Sequence, residues 1–417
     1  MNDQDKINRY LQSFPVELHN QFINCISLLK QQYEHDELIP SCDDQYLSSI
    51  IKLLICSEFA AKSALDNWEW FIDQINQKKF NKSLNEKILK NLFSQIDKGD
   101  VRDLIFNKKI RSIRNRCLLH ILWRDIICDC DLSETLSALS LLADFCITSA
   151  TRYASTVIES RYGFIPFEGG KMSINVLAMG KLGGNELNFS SDVDLIFLYP
   201  ENAESNGKDK LSGDEYFARI ARKIVSILND NLEDGFVYRV DTRLRPFGES
   251  GHLVHSYAAF ENYLMNHGRA WERYAYVKAR LVYIGEEIKQ TNSIINSVIK
   301  PFVFRKYLDY GILESLRELK QIIAKEVLRK KLSKDIKLGP GGIREIEFIV
   351  QSIQIIRGGN SPLLRQPGLK RALDQAIKER DLEQKIGEKL YLAYVFLRRL
   401  ENYIQCIKDQ QTHKIPE

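Results

Sequence analysis

The chain has 417 residues, 44% of them hydrophobic and 27% charged, with a formal net charge of +4, which suits a globular protein of two or three compact units rather than a disordered chain. No run approaches about 20 uninterrupted apolar residues, so neither a transmembrane helix nor a membrane partner is expected. The small positive charge is not the concentrated basic stripe of a nucleic-acid-binding surface.

The N-terminus, MNDQDKINRYLQSFP, is polar and acid-bearing and lacks the cationic start and apolar run of a signal peptide, which predicts a cytoplasmic location. From there to about residue 165 the apolar residues recur at helical spacing, in 17–29, 47–59 and 132–162, and predict a helical bundle. The eight cysteines are scattered, mostly in apolar helical contexts, and predict free thiols rather than a disulfide framework. Cys128 and Cys130, in CDCD, have no second CxxC and no nearby histidine to complete a zinc site.

Around Lys171 the texture changes. SINVLAMG, DVDLIFLY and FVYRVDTRL are short apolar, β-branched runs, and they read as buried strands of one sheet. Between the second and third, Pro200 to Glu215 is polar and rich in Gly, Asn and Ser, which predicts an exposed loop before a helix running to about Asn231. After Tyr257 the pattern is helical again, through WERYAYVKARLVYI, LESLRELKQIIAKEVL, IREIEFIVQSIQII and EKLYLAYVFLRRLENYIQCI. The expected architecture is α+β and predominantly helical, with a helical region at 1–165, a sheet-bearing core at 166–300 and a second helical region at 301–417.

The strongest chemical signal is MGKLGGNELNFSSDVDLIFLY. In a strand, residues i and i+2 point the same way, so Asp192 and Asp194 present two carboxylates on one face. They repel unless a cation sits between them, and Mg²⁺ favours one or two carboxylates plus substrate phosphate oxygens. Gly183 and Gly184, with Ser191, are candidates for a phosphate cradle, and a helix beginning at Asn185 or Glu186 would aim free N–H groups at the same anion. A bare DxD is more often a solvated strand end; the complete order strand, GG, DxD, strand is what lifts this one above it.

Asp241 closes the strand FVYRVD and supplies a third carboxylate for a metal site. If the chain stays extended, Arg243 and Arg245 follow on the same face and offer guanidinium forks to phosphate oxygens, with Lys181 as a further screening cation. The bland alternative has the two arginines pairing with surface acids. A helix would put Arg269, Glu272, Arg273, Tyr276 and Arg280 on one face, to tether the sheet or bind nucleotide. The loop Gly339 to Gly342 opens a helix whose N-terminus, with Lys337 and Arg344, could hold phosphate or adenine; the competing reading is a turn beside a buried Arg344–Glu347 pair. His267 reads as a helix-end cation.

GKLGGNELNFSSDVDLIFLY, VDTRLRPFGESG, HGRAWERYAYVKARLV, FRKYLDY and DIKLGPGGIREIEFIVQ resemble, in order, successive blocks of the glutamine synthetase adenylyltransferase/adenylyl-removing enzymes. The likeness runs from about Asn175 to Thr412. Family members carry two nucleotidyltransferase halves with a polymerase β-type sheet, and this chain carries one. ELNFSSDVDLIF resembles the N-terminal half, which implies adenylyl removal: orthophosphate attacks the adenylyl-tyrosine of glutamine synthetase and yields ADP. The resemblance further implies Mg²⁺ or Mn²⁺ on Asp192, Asp194 and Asp241, and a PII-type signal protein and glutamine as regulators of the full-length enzyme. The alternatives are the forward adenylyltransferase half, a non-catalytic nucleotide-sensing module, and a nucleotidyltransferase acting on nucleic acid, for which the chain lacks a basic groove.

Overall fold

VDLIFLY alternates side chains that are apolar on both sides after its first carboxylate, which suits a strand covered on both faces. In the computed structural model it is the central strand of a mixed sheet. The structure describes residues 8–33, 44–96, 102–167, 170–283, 294–306, 310–329, 332 and 334–415. Tyr307 to Asp309 of FRKYLDY, and Cys42, lie outside them.

The helices α1 (Val16–Tyr33), α2 (Asp44–Cys56), α3 (Glu58–Leu65), α4 (Trp68–Asn76), α5 (Glu86–Phe93), α6 (Asp103–Leu122) and α7 (Leu132–Tyr162) come first. A hairpin of β1 (Pro166–Phe167) and β2 (Gly170–Lys171) follows, then β3 (Asn175–Ala178), the short α8 (Gly180–Gly183), β4 (Val193–Tyr199), α9 (Gly213–Asn229), β5 (Val240–Asp241) and β6 (Val254–Ser256). The chain continues through α10 (Tyr257–Asn266), α11 (Ala270–Tyr276), β7 (Arg280–Tyr283), α12 (Lys300–Val303), α13 (Tyr310–Arg329), α14 (Ile343–Arg357), α15 (Leu369–Lys378) and α16 (Gln384–Lys408). The fold is thus predominantly helical with a small sheet. No helix among the described residues is long and apolar enough to cross a membrane.

β3 runs antiparallel to both β4 and β7, whereas β5 and β6 run parallel to β4 along the same edge. The period of two sorts the side chains between the faces. Val176, Val193, Leu195 and Phe197 join a core shared with α7, α9 and the N-terminal helices. Leu177, Ile196 and Leu198 face the other way, onto α10, α11 and α12. A third cluster fills the space between α14, α15 and α16.

Three expectations are corrected. RLVY was expected to be helical, but α11 ends at Tyr276 and Arg280–Tyr283 pairs with β3; a short apolar run has no periodicity to separate the two states. Arg280 therefore leaves the predicted helical face and forms a bidentate pair with Asp144 of α7, at 2.8 and 3.0 Å. FVYRVDTRL supplies only two strand residues, because the Val237 and Tyr238 N–H groups both donate to the Leu228 carbonyl at the end of α9. No helix begins at Asn185 or Glu186: the helical turn precedes the glycine pair, and Asn185 sits at φ +56°, which breaks any continuation.

α16 is inverted at part of its surface: Tyr394, Ile404 and Cys406 are buried in the ordinary way, but other positions are reversed. Arg398, Glu401, Asn402 and Gln405 are buried on its inner face, while Leu392 and Phe396 stand 69% and 67% exposed, with Tyr403 and Ile407 also outward. What this helix packs against explains the inversion.

Candidate active site

Parallel pairing of β4 and β5 is what assembles the carboxylates. The register sets Asp194 directly beside Asp241, and in a strand pair such neighbours share a face about 5 Å apart. Asp192 lies two residues earlier, just ahead of β4. Each outer carboxylate holds an arginine. Asp192 accepts from Arg239 Nε at 2.8 Å. Asp241 accepts from Arg243 Nε at 2.9 Å and Nη2 at 2.6 Å, and from the Arg243 backbone N–H at 2.8 Å.

Asp194, between them, accepts no hydrogen bond at its carboxylate from the described residues. Burial, followed by the charges of Asp241 and Asp192, pushes it up to about 6, against the pull of Lys337 and Lys181. Asp241 goes the other way: burial raises it, but the hydrogen bonds from Arg243 outweigh that and hold it below the usual carboxylate range.

This donor set fits a hard divalent cation in its chemistry: three carboxylates, one of them half-buried beside another and without a counter-charge in contact. The outer two are at present drawn to arginines, and no group of three or more His, Cys, Asp or Glu side chains among the described residues is already gathered round one point. Arg243 must therefore give up its share of Asp241 to a metal. Its side chain is 68% exposed, so the exchange needs no repacking.

After Asp241 the chain turns rather than staying extended, which corrects the expectation that Arg243 and Arg245 follow on one face. Arg245 points back into its own loop: it donates to the Thr242 carbonyl at 2.9 Å and hydroxyl at 2.8 Å, and to the Gly251 and Glu249 carbonyls. It braces the turn that carries Arg243.

The glycines have different reasons from one another. A side chain on Gly183 would come within 2.0 Å of the Lys278 carbonyl, and one on Gly184 would crowd Glu186 and Pro367. Both are required by close backbone packing. The glycine that faces the carboxylates is Gly180, at φ +55°, whose Cβ would lie 2.3 Å from Asp194 Oδ2. Sequence reasoning missed it, although it stands at the strand end in MGKLGG.

Lys181 turns away into the interior and pairs with Glu401 at 2.8 Å. Ser191 is buried. Lys337, half-buried in the glycine-rich loop before α14, acts on both Asp194 and Lys181 through its charge, so that loop does reach the site. Arg344 lies by Tyr274 instead. The expected Arg344–Glu347 pair is replaced: Glu347 binds Lys278 at 2.7 Å, and Lys278 also binds Glu186 at 3.0 Å. In α11, Glu272 caps the helix start and Arg273 donates to the Val303 carbonyl, both buried. His267 is the C-cap of α10.

A family model described as glutamate-ammonia ligase adenylyltransferase matches residues 47–294, and one described as GlnD PII-uridylyltransferase matches residues 317–417. Similar proteins include bifunctional glutamine synthetase adenylyltransferase/adenylyl-removing enzymes. That of Nitrosococcus oceani is 46% identical over 74% of this chain and 32% of its own length. That of Shewanella woodyi is 41% identical over 88% and 38%, and that of Thioalkalivibrio sulfidiphilus is 38% identical over 90% and 38%. The chain spans about a third of the length of these curated relatives.

Proposed function

The chain belongs to the glutamate-ammonia ligase adenylyltransferase family, and on that premise we propose that it removes the adenylyl group from the adenylyl-tyrosine of glutamine synthetase by phosphorolysis, on a polymerase β-type sheet. The observation that carries the catalytic part is the register of Asp194 beside Asp241, with Asp192 just ahead of the same strand. The direction rests on ELNFSSDVDLIF, which resembles the N-terminal, adenylyl-removing half of such enzymes.

An oxygen of orthophosphate attacks the adenylyl phosphorus, the bond from phosphorus to the tyrosyl oxygen breaks, and the proton of HPO₄²⁻ is transferred to the leaving phenolate. ADP and free tyrosine result. Mg²⁺ or Mn²⁺ held by Asp192, Asp194 and Asp241 supplies charge neutralisation for an in-line displacement. Because an anion attacks an anion, the protein's own task is screening and alignment. Arg243, exposed beside Asp241, and Lys337, from the loop before α14, are the cations that face the reacting phosphates. Arg245 holds the turn under Arg243. Gly183 and Gly184 pack the loop behind the carboxylates against Lys278 and Pro367, and Lys181 ties it to Glu401. The match of residues 317–417 to the PII-uridylyltransferase model supports a PII-type signal protein as partner of the full-length enzyme; glutamine as its second regulator and the cytoplasm as its location are what the resemblance implies.

The test incubates the chain with adenylylated glutamine synthetase, Mg²⁺ and orthophosphate and follows ADP. Release that requires orthophosphate is the expected result. Adenylylation of unmodified glutamine synthetase from ATP, without ADP release in the first assay, would reassign the chain to the forward reaction; inactivity in both would leave a nucleotide-sensing module.

Gly180→Ala tests the approach of the α8 turn to the carboxylates. The left-handed backbone costs an L-residue about 1–2 kcal/mol, and the new methyl group must displace Asp194. We expect a lower thermal midpoint together with ADP release reduced about 100-fold, the scale of a misplaced reacting group. Unchanged kinetics would mean that Asp194 can move freely.

A further inference from the structure

We propose that the inner face of α16 is the positioning element of the catalytic loop, with Asn402 and Gln405 as positioning residues that set Asp192 and Asp194 in place. This deepens the phosphorolysis reading and rests on it.

Between Gly183 and Val193 the chain has no helix or strand, yet it is buried, and its backbone must find partners there. α16 provides them at successive helical turns. Arg398 donates to the Glu186 carbonyl. Glu401 accepts from Lys181. Asn402 Oδ1 accepts from the Phe189 N–H at 3.3 Å, and Gln405 Oε1 accepts from the Ser190 N–H at 3.1 Å. Residues 398, 401, 402 and 405 fall at i, i+3, i+4 and i+7, which is one helix face, and all four are 2% exposed or less.

The contact continues to a catalytic carboxylate. Ser190, held by Gln405, accepts from Arg239 Nη2 at its carbonyl, 2.9 Å, and its hydroxyl, 3.0 Å, and the same guanidinium holds Asp192. A displacement of α16 therefore moves Ser190, Arg239 and Asp192 in turn. The grip also joins the stretch matched by one family model to the stretch matched by another.

Only the acceptor atoms of the two amides are used: Asn402 Nδ2 and Gln405 Nε2 have no partner among the described residues. Replacement by a carboxyl side chain, which burial at this depth keeps uncharged, keeps the acceptor, and replacement by alanine removes it. In the whole chain, Asn402→Ala/Gln405→Ala is expected to lower kcat for ADP release about 100-fold with KM for adenylylated glutamine synthetase within about threefold, because reacting groups are misplaced while the docking surface stays. Asn402→Asp/Gln405→Glu should recover kcat to within about tenfold of the parent chain, a small part of that loss.

Amide exchange at Phe189 and Ser190 and Mn²⁺ titration are read on the same samples. The alanine pair should exchange faster at both amides and bind Mn²⁺ more weakly, with a lower thermal midpoint because the Phe189 and Ser190 N–H groups lose their buried acceptors. An alanine pair with normal kcat, or a carboxyl pair as impaired as the alanine pair, overturns the proposal. If the alanine pair does not fold, the carboxyl pair decides: normal exchange and Mn²⁺ binding support the grip, and loss of both sinks it. Should the parent chain release no ADP, the phosphorolysis reading falls by itself, and exchange and Mn²⁺ binding still judge the positioning.

Discussion

Asp194→Asn should abolish orthophosphate-dependent ADP release, by about 1,000-fold or more, which corresponds to about 4 kcal/mol of lost transition-state stabilisation. Asparagine keeps the shape of the side chain and removes only its charge. The effect is expected to be the largest of any single replacement at the site, because Asp194 is the carboxylate between the other two and the one without an arginine.

The same change should raise the thermal midpoint when no divalent cation is added. A half-buried carboxylate beside two others is a cost to the folded state that function retains. Opposite signs for activity and stability in one variant are hard to obtain from a merely structural residue. Activity within about tenfold of the parent chain, less than 1.4 kcal/mol, would remove Asp194 from the reaction.

Lys278→Met is expected to have the largest effect on stability. Lys278 lies under the glycine pair with Glu186 and Glu347, all three side chains at most 14% exposed, and Glu186 also accepts the Leu369 N–H at the start of α15. Removing the cation that both buried carboxylates contact costs about 3–5 kcal/mol, measurable as a lower urea midpoint.

The pH dependence should change sign as well. In the parent chain Glu347 is held below its ordinary value: burial opposes this, but the charge of Lys278 and its hydrogen bond prevail. That stability is present above the unfolded carboxyl pKa and declines as pH falls through the folded one. In Lys278→Met burial is opposed only by the weaker pull of Arg398 and Lys181, the Glu347 carboxyl moves up, and acidification towards pH 5 should restore part of the loss. A variant that weakens further on acidification contradicts this account, and adding Glu347→Gln should recover part of the loss at neutral pH.

Much of the site could be read from the sequence, for identifiable reasons. Asp192 and Asp194 stand out because a carboxylate pair at the head of an apolar strand has no packing role. Asp241 could be proposed for the same reason, although its register with Asp194 is a fact of pairing between distant segments. The helical regions were legible from periodicity, and so was the glycine-rich entry to α14.

What escaped the sequence lies in non-local contacts. β7 was hidden because its four residues satisfy helical spacing as well as strand spacing. Arg239, next to Val240 in FVYRVD, carried no sign that it would hold Asp192 rather than solvent. Lys181 looked like a phosphate ligand beside the glycines, and only the depth of Glu401 on α16 shows where it turns. Gly183 and Gly184 were assigned to a cradle by motif, whereas the carbonyls of Lys278 and Pro367 account for them.

The inverted helix α16 also changes how substitutions in the last part of the chain should be judged. Along most helices of a globular protein, polar exchange is tolerated outside and apolar exchange inside. Here the ranking reverses: Leu392, Phe396, Tyr403 and Ile407 can accept lysine or glutamate at little cost, while leucine at Arg398, Glu401, Asn402 or Gln405 orphans buried backbone groups or charges of the catalytic loop. A variant scored by hydrophobicity alone would be misjudged at all eight positions, benign where it looks damaging and damaging where it looks benign.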